Sequence, residues 1–304
     1  VINAVIIGQE HMVRGLMLAL LSNGHILLES VPGLAKTLAV KTLANLINAD
    51  FSRIQCVSDL MPHDILGVEV MNPVTHEIGF KKGPIFSNLV LADEINRASP
   101  KTQSALLQSM QEREVTIGGE TFPLPSDIFM VLATLNPSEQ RGTYELPETS
   151  IDRFMMKLRV EYPDRDSERR VAVEDFEKQS KDLAPIINIE DIVKAREICS
   201  QILLTEQANN YIVDLVRATR IKRKDIKLGV SPRGAETLVK ASRALAFLNG
   251  HNYVSPHEIK GLVPDVFRHR ILRSDLARQK GITSDEIIKE ILKGVAIYRA
   301  TPED

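Results

Sequence analysis

The sequence is poor in cysteine. Its 304 residues contain two, Cys56 and Cys199, with no CxxC pair. That excludes a disulfide framework and a zinc ribbon, and it suits a reducing cytosol, so a cytoplasmic protein is expected. No apolar run reaches membrane-spanning length, because polar residues interrupt the longest stretches, and no membrane partner is expected. A charge excess is also missing: 38 basic residues stand against 40 acidic ones, a net charge of −2. No bulk positive field therefore draws the chain to nucleic acid. The seven histidines show no HExxH or paired metal-ligand spacing, and no internal repeat or low-complexity tract occurs. The chain opens on Val1 in place of methionine, so its native start is expected to lie outside this sequence.

What is present is ordinary globular material, 43% apolar and 26% charged, and long enough for two domains. Residues 10–23 place Val13, Leu16, Met17, Leu20 and Leu21 on one helical face, with Gly24 as a stop. Residues 25–29 form a short buried-type strand, and 37–49 return to helical spacing. Residues 88–92 and 128–134 are two more buried strands. Between them, Ser99 and Pro100 open a helix over 99–112, and 114–122 alternate around Gly118–Gly119 as a β-hairpin. Strands separated by helices predict a parallel α/β sheet covered on both faces. Strand signals fade after "EYPDRD" (161–166). Ser231 and Pro232 open a helix that ends at Gly250, and "SPHE" (255–258) is a capping box. The first domain is read as residues 1–162 and a helical domain as 163–304.

The stretch "ESVPGLAKTL" (29–38) stands between the first strand and its helix. It follows the phosphate-loop pattern G-x-x-x-x-G-K-[ST] with two departures, Ser30 and Ala35 at the glycine positions. Lys36 is in place to reach the β- and γ-phosphates of a nucleotide, and Thr37 to offer its hydroxyl to Mg²⁺. Gly33 is kept, with Pro32 before it to fix the turn, and Ala35 is small enough for close approach to phosphate. Ser30 is expected to resist the backbone angles that glycine permits there.

Two later elements add chemistry. "LVLADEI" (89–95) ends an apolar strand in adjacent carboxylates, whose side chains point opposite ways. Asp93 suits the Mg²⁺ shell, and Glu94 suits positioning and deprotonating an attacking water. "LATLNP" (132–137) delivers Asn136, a neutral amide able to hold that water. Residues 217–227, "RATRIKRKDIK", carry six basic residues and one acidic. With a nearly neutral whole chain they read as a solvated connection between helices, while a DNA motor is the alternative they favour. His269 in "FRHRI" reads as a packing or hydrogen-bonding residue.

Together the stretches at 5–13, 31–38, 61–73, 79–125, 131–137, 144–157 and 229–234 resemble, in order, the AAA+ ATPases and most closely the MoxR family. The resemblance implies a P-loop α/β domain with an insertion around 61–86, a hairpin at 114–122 and a helical lid. It implies that Ser30, Val31, Pro32, Gly33, Leu34, Ala35, Lys36, Thr37 and Leu38 bind nucleotide as Walker A, with Gly8 and Gln9 lining the adenine pocket. Asp93 and Glu94 match Walker B, Thr37 and Asp93 the metal positions, and Asn136 sensor 1. Arg153 in "DRF" matches the arginine finger and Arg233 in "SPR" sensor 2. The family usually has glycine in the place of Ser30. ATP and Mg²⁺ are the implied cofactors, with ADP and phosphate as products. The implied partners are further copies of the chain in a ring, usually hexameric, and client proteins, often with von Willebrand factor A domains. The motor subunit of a metal chelatase and a nucleotide-gated scaffold with little hydrolysis stand as alternatives.

Overall fold

The computed structural model describes residues 2–31, 33–71, 73–74, 76–137, 142–221 and 223–298. Val1, Pro32 and Lys222, which carry expectations stated above, lie outside the described residues. The chain divides into two compact units. One takes the chain up to Arg153 together with Leu158–Val193; the other takes Phe154–Lys157 and the chain from Lys194 on.

In chain order the first unit holds α1 (Ile2–Val5), α2 (Glu10–Leu21), β1 (Ile26–Ser30), α3 (Lys36–Leu46), β2 (Phe51–Gln55), α4 (Pro62–Leu66), β3 (Gly67–Met71) and β4 (Ile78–Lys82). There follow β5 (Leu89–Asp93), α5 (Pro100–Glu112), β6 (Glu114–Ile117), β7 (Glu120–Pro123), β8 (Met130–Leu135), α6 (Glu148–Ile151), β9 (Met156–Val160, entered from the second unit), α7 (Arg165–Val171) and α8 (Phe176–Lys181). Five strands form one sheet in the order β2-β5-β8-β1-β9, and the pairs β2–β5, β5–β8 and β1–β8 are parallel.

Burial explains which strands are visible in the sequence. All of β5 is buried, as is β8 up to Thr134, so each reads as a continuous apolar run. The outermost strands β2 and β9 carry "FSRIQ" and "MKLRV", with polar residues at the exposed positions, and periodicity alone misses them. Ser99 caps α5 by accepting from the Thr102 N–H at 3.3 Å, with Pro100 in the first turn. The hairpin at 114–122 is β6–β7, and residues 61–86 form α4 followed by the antiparallel β3–β4 hairpin.

Compact packing moves the change of character later than residue 163. The Thr42 and Ser180 hydroxyls are 2.7 Å apart, and Ile186 donates its N–H to the Leu46 carbonyl at 2.9 Å. Gly8, at φ +69°, has no room for a β-carbon, which would stand 2.7 Å from Pro163 Cβ. These contacts tie α7 and α8 to the sheet unit, and the helical unit begins in the middle of the next helix, at Lys194.

The second unit holds α9 (Ile189–Gln201, which starts in the first unit), α10 (Glu206–Ala218), β10 (Ile226–Leu228), α11 (Pro232–Leu248), α12 (Pro256–Phe267), β11 (Leu272–Arg273), α13 (Asp275–Gln279) and α14 (Ser284–Gly294). Among its described residues the regular structure is helical apart from the antiparallel pair β10–β11, an isolated bridge between Leu203 and Tyr253, and the start of β9. Helices α11 and α12 bury Leu238, Ala241, Leu245, Ile259, Leu262 and Val266. Each such leucine or isoleucine contributes about 1.5–3 kcal/mol. Ser231 sits at the cap position of α11, but its side chain makes no capping bond to the helix. Basic residues of 217–227 are engaged within this unit: Arg220 donates to the Val230 carbonyl, and Arg223 pairs with Asp225 and Glu290, each at 2.7 Å. Among the described residues no helix is long and apolar enough to cross a membrane.

The capping box of α12 holds a buried charge. Glu258 is 1% exposed and accepts from the Ser255 N–H at 2.9 Å, from Asn249 at 3.1 Å and from His251 at 2.9 Å. Burial pushes its carboxyl up, but the hydrogen bonds from Ser255, Asn249 and His251 outweigh burial and hold it below the ordinary glutamate range. A depressed carboxyl contributes stability that is complete above the ordinary glutamate value and is lost as pH falls toward the folded value. Glu258→Gln is therefore expected to cost about 1.5–3 kcal/mol at pH 7. It should also remove part of the stability loss on acidification, as read by denaturant unfolding at neutral pH and near pH 4. An unchanged acid dependence contradicts this account of Glu258.

Candidate active site

Parallel pairing brings four strand ends to one edge of the sheet. The register aligns Glu29 with Leu135, Ala92 with Ala133 and Gln55 with Asp93. The loop after β1, the carboxylates after β5 and the amide after β8 therefore emerge side by side, at the edge where open parallel sheets take ligands. A cavity of about 410 Å³ opens there. Gly33, Leu34, Ala35, Lys36, Thr37 and Leu38 line one side, and Arg53, Gln55, Asp93, Glu94 and Glu177 complete it. Helix α3 starts at Lys36, so its N-terminal N–H groups and positive dipole end border the cavity.

The two carboxylates are held differently. Asp93 accepts from Thr134 Oγ1 at 2.7 Å and from Arg53 Nη2 at 2.6 Å. Burial raises its carboxyl, but these hydrogen bonds and the charges of Lys36 and Arg53 prevail and keep it below the ordinary aspartate range. Lys36 moves down because burial outweighs the attraction of Asp93 and Glu94, with Arg53 adding repulsion. The two directions do not conflict, since burial sets one and hydrogen bonding the other. Glu94 Oε2 accepts from Gln55 at 3.2 Å and from Arg97 at 3.1 Å, while the Glu94 N–H donates to Thr134 Oγ1 at 2.8 Å. One hydroxyl on β8 thus joins both acidic residues.

The strain of the loop lies elsewhere than expected. Ser30 is the last residue of β1, in extended backbone and 3% exposed, and its buried Oγ has no hydrogen-bond partner among the described residues. The left-handed residues are Gly33 at φ +84° and Ala35 at φ +51°. The residue that pays for a missing glycine is therefore Ala35. Glu94 is also left-handed, at φ +56°, and an outlier beside a ligand cavity is a mark of a functional site.

The remaining predicted residues fall in several places. Val31 is half-buried and, like Ser30, lies outside the cavity lining. Asn136 is buried directly after β8 and is not part of the cavity lining. Gly8 packs against α7, and Gln9 is buried and donates to the Glu161 carbonyl at 3.0 Å. Arg153 follows α6 and is half-exposed, and its side chain has no ion-pair or hydrogen-bond partner among the described residues. Arg233 is exposed in the first turn of α11, in the other unit. Sequence reading missed Arg53, Gln55, Thr134 and Glu177. A signal existed for the first two: "RIQ" places polar side chains on one face of a strand, with buried Ile54 between them. A lone hydroxyl within the apolar run of β8 was the signal for Thr134.

A parallel sheet with a glycine-bearing loop between strand and helix, a Lys-Thr pair and two carboxylates on the next strand but one defines a P-loop ATPase domain, here joined to a helical lid. Residues 25–156 match the family model for the ATPase family associated with various cellular activities (AAA), and residues 217–291 match its AAA lid domain. The chain is 40% identical to the chaperone MoxR1 of Mycobacterium tuberculosis, over 97% of this chain and 80% of that one. It is 43% identical to the uncharacterized protein YeaC of Bacillus subtilis, over 97% of this chain and 92% of that one. A crystal structure from Cytophaga hutchinsonii, described as a candidate ATPase, superposes with a TM-score of 0.90 at 42% identity, covering 98% of this chain and 93% of the other. The chain belongs to the MoxR family of AAA ATPases.

The placement of strain makes two glycine substitutions diverge. Ser30→Gly puts glycine into a buried strand and is expected to destabilise by about 0.5–1 kcal/mol. Ala35→Gly removes a left-handed alanine that costs about 1–2 kcal/mol, which offsets or exceeds the entropy of the new glycine. Denaturant unfolding should rank Ala35→Gly as the more stable variant. The reverse order would mean that the strain is at Ser30.

Proposed function

We propose that the chain hydrolyses ATP to ADP and phosphate in this cavity, with Mg²⁺, and that it does so within a ring of identical subunits. The observation that carries the reading is the convergence of Lys36, Thr37, Asp93 and Glu94 on one cavity at the sheet edge. The N–H groups of Gly33 to Leu38 and the Lys36 ammonium receive the phosphates, where a helix N-terminus and a cation favour negative charge. Leu38 and the segment of Gly8 and Gln9 serve the nucleoside end. The residues fit a magnesium ion: Thr37 and an ionised Asp93 border the same cavity, and hard oxygen donors suit that cation. Bound there with the phosphates, Mg²⁺ would neutralise charge on their oxygens.

Glu94 supplies the base. It takes a proton from a water held with the help of the Asn136 amide. The water oxygen then attacks the γ-phosphorus as the bond to the ADP oxygen breaks, and phosphate leaves after ADP is formed. The negative charge that spreads over the γ-phosphoryl oxygens needs a cation set in advance. Arg153, whose side chain has no ion-pair or hydrogen-bond partner among the described residues, is offered to the neighbouring subunit, a role worth about 10³–10⁵ in rate among GTPases. Arg233 reports the nucleotide to the lid. A head-to-tail interface of this kind closes into a ring, and six subunits are the expected number.

Turnover is coupled to remodelling or maturation of partner proteins. Similarity to a relative named as a chaperone supports that reading. Clients with von Willebrand factor A domains are the first class to test, by capture on a Glu94→Gln ring held with ATP.

Lys36→Ala is expected to lose ATP binding, and Glu94→Gln to bind ATP yet hydrolyse it slowly. Equal binding by both would contradict the division of roles. Slow hydrolysis by the wild type under saturating ATP and Mg²⁺ would favour the nucleotide-gated scaffold. Lys36→Ala and Arg153→Ala should each be nearly inactive alone. Mixed one-to-one with subunit exchange, they should regain up to about a quarter of wild-type turnover, since one random head-to-tail interface in four is intact. No recovery would place Arg153 outside the neighbouring site.

A further inference from the structure

The chain crosses from the first unit to the second immediately after Arg153, stays there for Phe154–Lys157, and returns at Leu158. Within the second unit, three consecutive residues following α12 hold the carbonyls of that excursion. Arg270 donates to the Phe154 carbonyl at 2.8 Å and to the Met155 carbonyl at 3.0 Å. His269 Nε2 lies 3.0 Å from the same Phe154 carbonyl, and Arg268 donates to the Lys157 carbonyl at 2.6 Å. The Phe154 oxygen thus has both lone pairs engaged by side chains.

This grip is built to be stiff. Arg270 is 7% exposed, and its guanidinium fork spans two successive carbonyls, a geometry that lysine cannot copy. Arg268 is fixed in turn by Asp265 at 2.9 Å and Asp285 at 2.8 Å. Burial, with the Arg270 charge next, drives His269 well below the ordinary histidine range, so the neutral ring donates from Nε2. Burying a guanidinium is costly unless its hydrogen bonds are satisfied, and here they are spent on the backbone beside Arg153.

We propose that Arg268, His269 and Arg270 form a clamp that positions Arg153 for the neighbouring active site. Phe154 is joined directly to Arg153 and is fully buried, so holding its carbonyl fixes the residue from which the arginine is hung and narrows the directions in which it projects. The clamp thereby acts on the next subunit's site through the residue that follows Arg153 in the chain. The three are positioning residues, and the proposal rests on the reading of Arg153 as acting in trans.

Subunit mixing separates this role from a merely structural one. Arg270→Lys keeps the charge and loses the fork. It should lower turnover by about ten- to a hundredfold while ATP affinity stays within about twofold, because misplacement of a group by 1 Å costs rate more than binding. Mixed with Lys36→Ala, it should regain turnover: its own phosphate loop is intact and receives a correctly held arginine from the Lys36→Ala neighbour. Mixed with Arg153→Ala, it should regain none, because neither chain offers a positioned arginine. Recovery with Arg153→Ala, or none with Lys36→Ala, overturns the clamp. The control mixture of Lys36→Ala with Arg153→Ala tests the trans reading alone, and its failure under verified exchange removes that reading and the clamp with it. Should Arg270→Lys not fold, His269→Leu, which removes one donor to Phe154 and keeps an apolar side chain, is put through the same mixtures with the same expected pattern.

Discussion

One hydroxyl organises the acidic end of the cavity. Thr134 donates to Asp93 and accepts the N–H of Glu94, so a single side chain on the central strand holds one carboxylate and the backbone from which the other projects. The second bond matters because Glu94 is held in a left-handed conformation, a state that costs about 1–3 kcal/mol and persists only where the surroundings impose it. The first keeps Asp93 ionised by offering a hydrogen bond to its charged form. Both depend on parallel pairing, since the one-residue slip of β8 that turns Thr134 to the other face would undo them together.

How far this was legible in the sequence follows from burial. The strands leading to Lys36, Asp93 and Asn136 are buried on both faces and read as apolar runs, so their ends could be found and the chemistry at those ends inferred. Strand β2 could not be found that way: it is outermost, its residues face different surroundings, and Arg53 and Gln55 belong to the cavity, not to the core. Thr134 was hidden by the opposite circumstance, a small polar residue inside a core strand. Its role exists only through residues forty or more positions away, Glu94 at 40 and Asp93 at 41. Ser30 and Ala35 show the limit of motif arithmetic. Both occupy glycine positions, yet the backbone needs a left-handed residue at only one of them, and pattern alone pointed to the wrong one.

The helical half was read correctly as helical; the division into compact units falls after Val193, and the sequence places its border between 162 and 163. Strand signals do end there. What sequence cannot display is that α7 and α8 pack back against the sheet unit through Gly8, Thr42 and Leu46. The same concealment applies to "FRHRI". Its histidine reads as a hydrogen-bonding residue and is one, but its partner, the carbonyl of Phe154, is 115 residues distant. Family membership and the geometry at the sheet edge thus meet in one place: Lys36, Thr37, Asp93 and Glu94 line a single cavity, and Arg153, whose side chain has no partner among the described residues, is not part of its lining.

The most direct measurement is a crystal structure of the chain with Mg²⁺ and a non-hydrolysable ATP analogue. The account predicts the γ-phosphate within hydrogen-bond reach of Lys36, with the Glu94 carboxylate facing it across a water and Arg153 of an adjoining subunit turned toward the same phosphate. Triphosphate bound away from the loop at 33–38, or Glu94 directed away from it in a fully ordered complex, would contradict the account.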